Sequence, residues 1–298
     1  MTPFFDAGFM RKLERLRLVA KRLNWNGAEG EHAASRRGSS LEFSDYRRYQ
    51  RGDDLRYVDW NVYRRLDRLL LKVFTAEEEM NIYLLVDTSA SMAGTHDGAD
   101  PGAAKISYAK QVAAALGYIG LANLDRVGGA AFSTTLHAPL RVDRGRAQIL
   151  RLFGFLDGLS CSGATDMDAA VRRFGALFPR PGLVVVLSDL LDADGWRPAV
   201  EALARHKHQV LVVHVLDEDD CEPGFAGEVT LVDAEGSRER RLYADEALKR
   251  RFRSELAYYF REIETACTSL GIDYLRTTTR TPFDEFVLKS LRQTASLR

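Results

Sequence analysis

A short apolar run that ends in an aspartate is the feature that most constrains the fold of this chain. Ile82–Val86 consists of Ile, Tyr, Leu, Leu and Val, and Asp87, Ser89 and Ser91 follow it at alternate positions. A run of this length without a polar face is typical of a strand buried on both sides of a parallel sheet. Open α/β sheets bind ligands at the carboxyl ends of such strands. The run therefore predicts an α/β fold with a polar site at one sheet edge.

From Asn81 onward, apolar strands alternate with amphipathic helical segments. This alternation predicts a doubly wound, mostly parallel sheet flanked by helices. A turn at residues 234–236 separates two strand-like segments and predicts a β-hairpin insertion near residues 228–243. The other predicted strands are Ile82–Val86, Arg126–Ser133, Thr135–Leu140, Gly182–Ser188, Gln209–Val215 and Ile272–Arg276.

The first 79 residues differ in composition from the rest of the chain. They are rich in arginine and aromatic side chains and show only weak periodicity. We therefore expect an N-terminal extension at residues 1–79 and an α/β domain at residues 80–298. Within the extension, Phe9–Leu23 has the spacing of an amphipathic helix, and Leu69–Phe74 has strand character.

Composition bears on partners and location. The 298 residues carry 42 basic and 42 acidic side chains, so no net charge favours nucleic acid or acidic lipid. Cys161, Cys221 and Cys267 are far apart and lie in no metal-binding spacing, which indicates reduced thiols. No apolar run approaches the roughly 18 residues of a membrane-spanning helix, and the first 23 residues lack the order of a signal peptide. We expect a cytoplasmic protein without a membrane span.

Oxygen-bearing side chains follow two further segments. Asp189 ends the apolar run that begins at Gly182, and Thr165 lies in the loop Ser160–Asp166. If the strands are parallel, these loops emerge at the same sheet edge as the first one and can reach one cation. The candidate metal ligands are Asp87, Ser89, Ser91, Thr165 and Asp189. Oxygen ligands of this kind suit Mg²⁺, with Mn²⁺ or Ca²⁺ as alternatives.

Each of these residues also has a purely structural interpretation. Thr165 is a reasonable N-cap for the next helix, with Asp168 completing a capping box. Asp189 can simply end a strand, and the two serines can be turn residues. The convergence of five oxygen-bearing side chains on one sheet edge favours the metal site.

The three segments together resemble the metal-ion-dependent adhesion site of von Willebrand factor A domains. The matching residues are DTSAS at 87–91, Thr165 in its Gly-Ala-Thr-Asp loop, and Ser188-Asp189. This resemblance covers roughly Asn81 to Arg276. It implies that the two serines and the threonine bind Mg²⁺ by their hydroxyls, while the two aspartates act mostly through water. It also implies that a partner protein donates an Asp or Glu carboxylate to the remaining position on the metal.

Hydroxyl ligands have a chemical consequence of their own. They neutralise a cation less than carboxylates do, so the metal keeps positive charge and attracts an acidic side chain. This predicts an adhesive contact rather than an enzyme. The alternative is a metal-dependent hydrolase that uses Asp87 and Asp189. Such an enzyme needs a general acid or base near the metal, and the sequence offers only Asp166, Asp168 and His96 there.

The segment before the metal loop is similar to the bacterial domain of unknown function 58 family. The matching residues are Arg36-Arg37-Gly38, 45–49 (DYRRY), 51–56 (RGDDLR), Val58-Asp59-Trp60, 72–74 (KVF) and Glu77–Glu79. In that family the segment precedes a von Willebrand A-like domain, and the resemblance then covers nearly the whole chain. Members are commonly encoded beside MoxR-type AAA+ ATPases. The resemblance implies an adaptor or co-chaperone that works with such an ATPase on client proteins.

The arginines of residues 36–68 admit two interpretations. They could form a basic surface for an acidic partner or nucleic acid, or pair with interleaved aspartates in a structural network. Interleaved carboxylates repel phosphates as the arginines attract them, which favours the network. The aspartates concerned are Asp45, Asp53, Asp54, Asp59 and Asp67.

Overall fold

The structure is a computed structural model that describes residues 6–27, 41–50, 52–76, 80–93, 104–192, 195–222, 224–236 and 238–296. The chain divides into two compact units, one formed by Glu29–Glu79 and the other by Met1–Ala28 with Met80–Arg298. Within the described part of the chain, no helix combines the length and apolar character needed to cross a membrane.

The secondary structure alternates as the sequence indicates. The strands are β1 (Leu41–Arg48), β2 (Leu70–Ala76), β3 (Asn81–Asp87), β4 (Arg126–Phe132), β5 (Leu136–Asp143), β6 (Leu183–Ser188), β7 (Gln209–Leu216), β8 (Gly227–Val232), β9 (Glu239–Ala244) and β10 (Asp273–Thr278). The helices are α1 (Ala7–Gly27), α2 (Trp60–Leu66), α3 (Lys105–Ala122), α4 (Arg146–Asp157), α5 (Met167–Leu177), α6 (Trp196–Arg205), α7 (Glu218–Cys221), α8 (Glu246–Ser269) and α9 (Phe283–Ser296).

Six of the described strands form one sheet in the order β10-β7-β6-β3-β4-β5. All neighbours in this sheet pair in parallel except β5, which runs antiparallel to β4. The chain leaves β3 toward β4 and β5 on one side and later fills the other side with β6, β7 and β10. The strand order therefore reverses between β3 and β6, which is where doubly wound sheets bind ligands. The predicted α/β fold is confirmed.

Helices cover both faces of this sheet because its central strands are apolar on both sides. In β3, Leu84 and Val86 belong to a core formed with α1, α3, α4 and α9. Tyr83 and Leu85 belong to a second core formed with α5, α6 and α8. All four side chains are buried. This two-sided burial explains why β3 is a continuous apolar run rather than an alternating one.

Helix α1 belongs to the larger unit. Its buried Phe9 and Leu13 join the core on one face of the sheet. Phe9 also stacks on Phe283 of α9, with ring centroids 5.0 Å apart. The expected division placed residues 1–79 together; in the structure the amphipathic helix packs with the α/β unit because its apolar stripe is buried there.

The smaller unit contains the antiparallel pair β1–β2 and the short helix α2. Asp59 caps α2 by accepting hydrogen bonds from the backbone N–H groups of Asn61 and Val62. The other oxygen of the same carboxylate accepts a hydrogen bond from the Tyr46 hydroxyl at 2.8 Å. This cap fixes the start of the helix against β1.

Ion pairs in the smaller unit agree in part with the expected network. Arg47 donates to both carboxylate oxygens of Asp53 at 2.9 Å, and Arg56 pairs with Asp54. Asp59 caps helix α2. Arg36 and Arg37 lie outside the described residues.

The hairpin insertion is confirmed. Strands β8 and β9 pair in register from Gly227 opposite Ala244 to Val232 opposite Glu239, and they form a separate two-stranded sheet. Most of the described side chains in this hairpin are exposed.

Candidate metal site

Asp87 lies at the carboxyl end of β3 and is completely buried. Its Oδ1 accepts a hydrogen bond from the backbone N–H of Ser89 at 2.9 Å, and its Oδ2 accepts one from the Ser188 hydroxyl at 2.5 Å. Ser188 is the last residue of β6, so this bond joins the two strand ends where the strand order reverses. Burial, together with the charge of Asp189, raises the pKa of Asp87 to about 7.

Ser89 and Ser91 are both buried in the loop after β3, and their hydroxyl oxygens lie 3.0 Å apart. Neighbouring oxygen ligands of an octahedral Mg²⁺ ion, each about 2.1 Å from the metal, are separated by about 3.0 Å. A hydroxyl that donates its proton to a neighbour keeps lone pairs that can bind a cation. The two serines therefore fit adjacent positions on one Mg²⁺ ion.

The loop that carries Thr165 runs beside the loop after β3. The backbone N–H of Ser162 donates to the carbonyl of Thr88 at 2.8 Å, and the N–H of Ala90 donates to the carbonyl of Gly163 at 2.9 Å. Gly163 has a φ of +77°, a conformation that favours glycine. These bonds place the two loops at the same sheet edge.

The hydroxyl and the backbone N–H of Thr165 both bind Glu235, a residue that the sequence does not mark as part of a site. Its hydroxyl donates to Glu235 Oε1 at 2.7 Å, and its backbone N–H donates to Glu235 Oε2 at 2.8 Å. Glu235 lies in the turn between β8 and β9. The structural interpretation of Thr165 as an N-cap is wrong, because Asp166 caps α5 by accepting from the N–H of Ala169.

Asp189 is buried directly after β6, and its Oδ2 accepts a hydrogen bond from Lys105 Nζ at 2.7 Å. The same ammonium donates to Asp220 Oδ2 at 2.9 Å. Burial lowers the pKa of Lys105, but the two carboxylates outweigh this effect and the pKa is raised overall. Lys105 therefore stays charged and takes up part of the negative charge at this edge.

Some of the predicted ligands contact one another directly in the structure, and others are connected only through neighbouring residues. Hydrogen bonds connect Asp87 directly with Ser89, and Ser89 with Ser91. Asp189 directly follows Ser188, whose hydroxyl donates to Asp87, while Thr165 is connected through its loop. Among the described residues, no three His, Cys, Asp or Glu side chains form a group that could hold a metal.

Lys105 and Glu235 are among the site residues that sequence reasoning missed. Lys105 follows a glycine-containing segment at the start of α3, and a lone lysine there gives no signal of an acidic partner. Glu235 lies in a turn of the type expected for any hairpin. His96, considered as a general acid or base, lies outside the described residues, and Asp168 pairs with Arg172 at 2.6 Å.

Comparison of the sequence with known families gives a match over residues 45–259 to the family described as Protein of unknown function DUF58. The chain belongs to the DUF58 family. It is 28% identical over 276 residues to uncharacterized proteins of Mycobacterium tuberculosis and Mycobacterium bovis, covering 91% of this chain and 84% of each relative. The family resemblance drawn from the arginine- and aromatic-rich segment is therefore confirmed.

Solved structures match about three quarters of this DUF58 protein at low sequence identity. The conserved hypothetical protein BatB from Bacteroides thetaiotaomicron is 15% identical, with a TM-score of 0.44, over 74% of this chain and 100% of that chain. A von Willebrand factor type A protein from Catenulispora acidiphila is 12% identical, with a TM-score of 0.39, over 76% of this chain and 43% of that chain. The strand order described above establishes the α/β class independently of these similarities.

Proposed function

We propose that this DUF58 protein is a Mg²⁺-dependent protein–protein interaction module. We further propose that it serves a MoxR-type AAA+ ATPase as an adaptor or co-chaperone in the maturation or remodelling of other proteins. The observation that carries the proposal is the hydrogen-bonded group of Asp87, Ser89, Ser91 and Ser188 at the reversal of strand order. The resemblance to the DUF58 family supports the choice of an AAA+ ATPase as partner.

The donor set suits a hard cation that contacts a partner. Ser89, Ser91 and Thr165 would hold Mg²⁺ through neutral hydroxyls, and Asp87 and Asp189 would orient the site through water. When bound, the cation supplies a positive charge that an acidic side chain of a partner can meet. Mn²⁺ or Ca²⁺ could take its place.

The chain's own residues prepare this edge for a cation. Ser188 and the N–H of Ser89 fix both oxygens of Asp87, which sets the direction of that carboxylate. Lys105 takes up part of the charge of Asp189, so this aspartate neutralises an added cation less than a free carboxylate would. Both effects favour a cation that keeps charge for an external ligand.

The contacts of the two aspartates support a non-catalytic role over hydrolysis. Both oxygens of Asp87 accept hydrogen bonds, as described above. Asp189 Oδ2 accepts from Lys105, and its Oδ1 accepts from the N–H of Leu191 at 3.3 Å. Carboxylates held in this way are suited to positioning other groups rather than to nucleophilic attack.

Isothermal titration with Mg²⁺ tests whether the separate loops share one ion. We expect the wild-type protein and Thr165→Ser to bind one Mg²⁺ ion, because both keep a hydroxyl at this position. We expect Thr165→Val to bind at least about tenfold more weakly, since it keeps the shape of the side chain and loses the oxygen. Equal affinities of the valine and serine variants, or no binding by any protein, would contradict the proposed site.

A further inference from the structure

The β8–β9 hairpin is a separate element whose turn reaches the candidate metal site. It pairs with neither edge of the six-stranded sheet, and most of its described side chains are exposed. An isolated two-stranded hairpin has little stability of its own. Contacts at its turn therefore have a large influence on where the hairpin lies.

Glu235 makes that contact. Both oxygens of its carboxylate accept hydrogen bonds from Thr165, one from the hydroxyl and one from the backbone N–H. Glu235 is partly buried, whereas its neighbours Ala234 and Gly236 are both exposed. Among the hydrogen bonds between described residues, these two connect the hairpin to the rest of the chain.

The group that Glu235 presents is the same one expected from a partner. A partner protein is proposed to donate an Asp or Glu carboxylate to the metal beside Thr165, and Glu235 already places a carboxylate against Thr165. Because Thr165 uses its proton in this bond, its lone pairs remain for a cation. An internal carboxylate and a metal-bound hydroxyl are therefore compatible.

We propose that Glu235 is an internal substitute for the partner's carboxylate. It holds the β8–β9 hairpin over the metal site, and an external Asp or Glu side chain has to displace it. The inference rests on the proposed metal-dependent function and adds its regulation. The turn is on the surface and is held by hydrogen bonds to a single residue, so it can leave without disturbing the six-stranded sheet.

Mn²⁺ with acetate as the carboxylate probe tests this inference. The wild-type protein, Glu235→Gln and Glu228→Gln are loaded with Mn²⁺, and water-proton relaxation is followed during titration with acetate. Glu228 is an exposed carboxylate in β8 and serves as the matched control. We expect acetate to displace metal-bound water from Glu235→Gln at a concentration at least about fivefold lower than from the other two proteins.

Amide hydrogen exchange of the hairpin gives a second readout that does not require metal. Glu235→Gln should exchange faster than wild type at residues 227–244, and Glu228→Gln should not. If all three proteins bind Mn²⁺ and respond equally to acetate, this inference is wrong and the metal site stands. If only Glu235→Gln fails to bind Mn²⁺, Glu235 is a required metal ligand. The proposal that an external carboxylate displaces Glu235 is then wrong as well. If none binds Mn²⁺, the proposed function and this inference fail together.

Discussion

Lys105 Nζ lies 2.7 Å from Asp189 Oδ2, and both side chains are almost completely buried. The pair joins the first residue of α3 to the end of β6. The same ammonium reaches Asp220 of α7 at 2.9 Å. One lysine therefore connects three segments that meet at the carboxyl edge of the sheet.

Lys105→Met should destabilise the protein by roughly 3–5 kcal/mol, because it leaves buried carboxylates without their cation. Urea unfolding measures the change. Lys12→Met is the matched control, since Lys12 pairs with Asp284 at 3.1 Å in an exposed position and should cost under about 1 kcal/mol. Equal losses in the two variants would show that the Lys105 pair is not a buried structural interaction.

Ser89→Ala combined with Ser91→Ala should abolish Mg²⁺-dependent capture of an AAA+ ATPase from cell extract, since both metal-binding hydroxyls are removed. Asp87→Ala should do the same. The fold should persist, because alanine fits the space of serine.

Capture is measured on the tagged protein with Mg²⁺ or EDTA, and the ATPase is identified by mass spectrometry. Ser254→Ala in α8 is the control. Capture that survives EDTA in the wild type would count against a metal-dependent contact.

Asp125 should make stability depend on pH. Burial raises the pKa of Asp125 to about 6, although the N–H of Met80 donates to its Oδ1. The folded state therefore binds this proton more tightly than the unfolded chain, and stability falls as pH rises from about 4 to 6. Asp125→Asn keeps an acceptor oxygen and cannot ionise, so it should exceed wild type in stability at pH 7 and approach it at pH 4.

Urea unfolding at several pH values between 4 and 7.5 measures this difference. Asp143→Asn is a control whose pH dependence should have the opposite sign. The pKa of the exposed Asp143 is lowered, mainly because its carboxylate accepts a hydrogen bond from the N–H of Arg144, so its contribution to stability grows as pH rises. A gap between Asp125→Asn and wild type that stays constant with pH would refute the assignment.

Tyr259 should couple the metal site to helix α8. Its hydroxyl donates to the carbonyl of Leu190, in the loop directly after Asp189. We expect Mg²⁺ to slow amide hydrogen exchange in α8 of the wild-type protein, because ordering the Asp189 loop also orders its partner. Tyr259→Phe should lose this response, and Tyr258→Phe, which changes an exposed neighbour, should keep it. No effect of Mg²⁺ on wild-type α8 would argue against coupling.

Much of the fold can be predicted from the sequence because the responsible signals are local. The apolar segments of β3 and β6 have to be buried on both faces, so each forms a continuous run that marks a central parallel strand. The polar residues that follow them mark the ligand-binding edge. The turn between β8 and β9 indicates the hairpin in the same way.

The smaller unit was harder to predict. Strand β1 (LEFSDYRR) alternates for only four residues, and its pairing with β2 contains an irregularity between Phe43 and Asp45. The sequence suggested an ion pair for Asp59 and gave no sign that its carboxylate caps helix α2. Which of several possible partners an aspartate takes depends on backbone geometry rather than on residue type.

The sequence by itself determined the strands of the six-stranded sheet and of the hairpin, their order of appearance and the Asp87–Ser89–Ser91 loop, since each follows from residues that are near one another in the chain. Only the tertiary structure decided that Lys105 pairs with Asp189, that Glu235 reaches Thr165, and that α1 packs on α9. The first two pairs are 84 and 70 residues apart. Such partners are chosen by the packing of helices and loops around the sheet, and no local pattern records that choice.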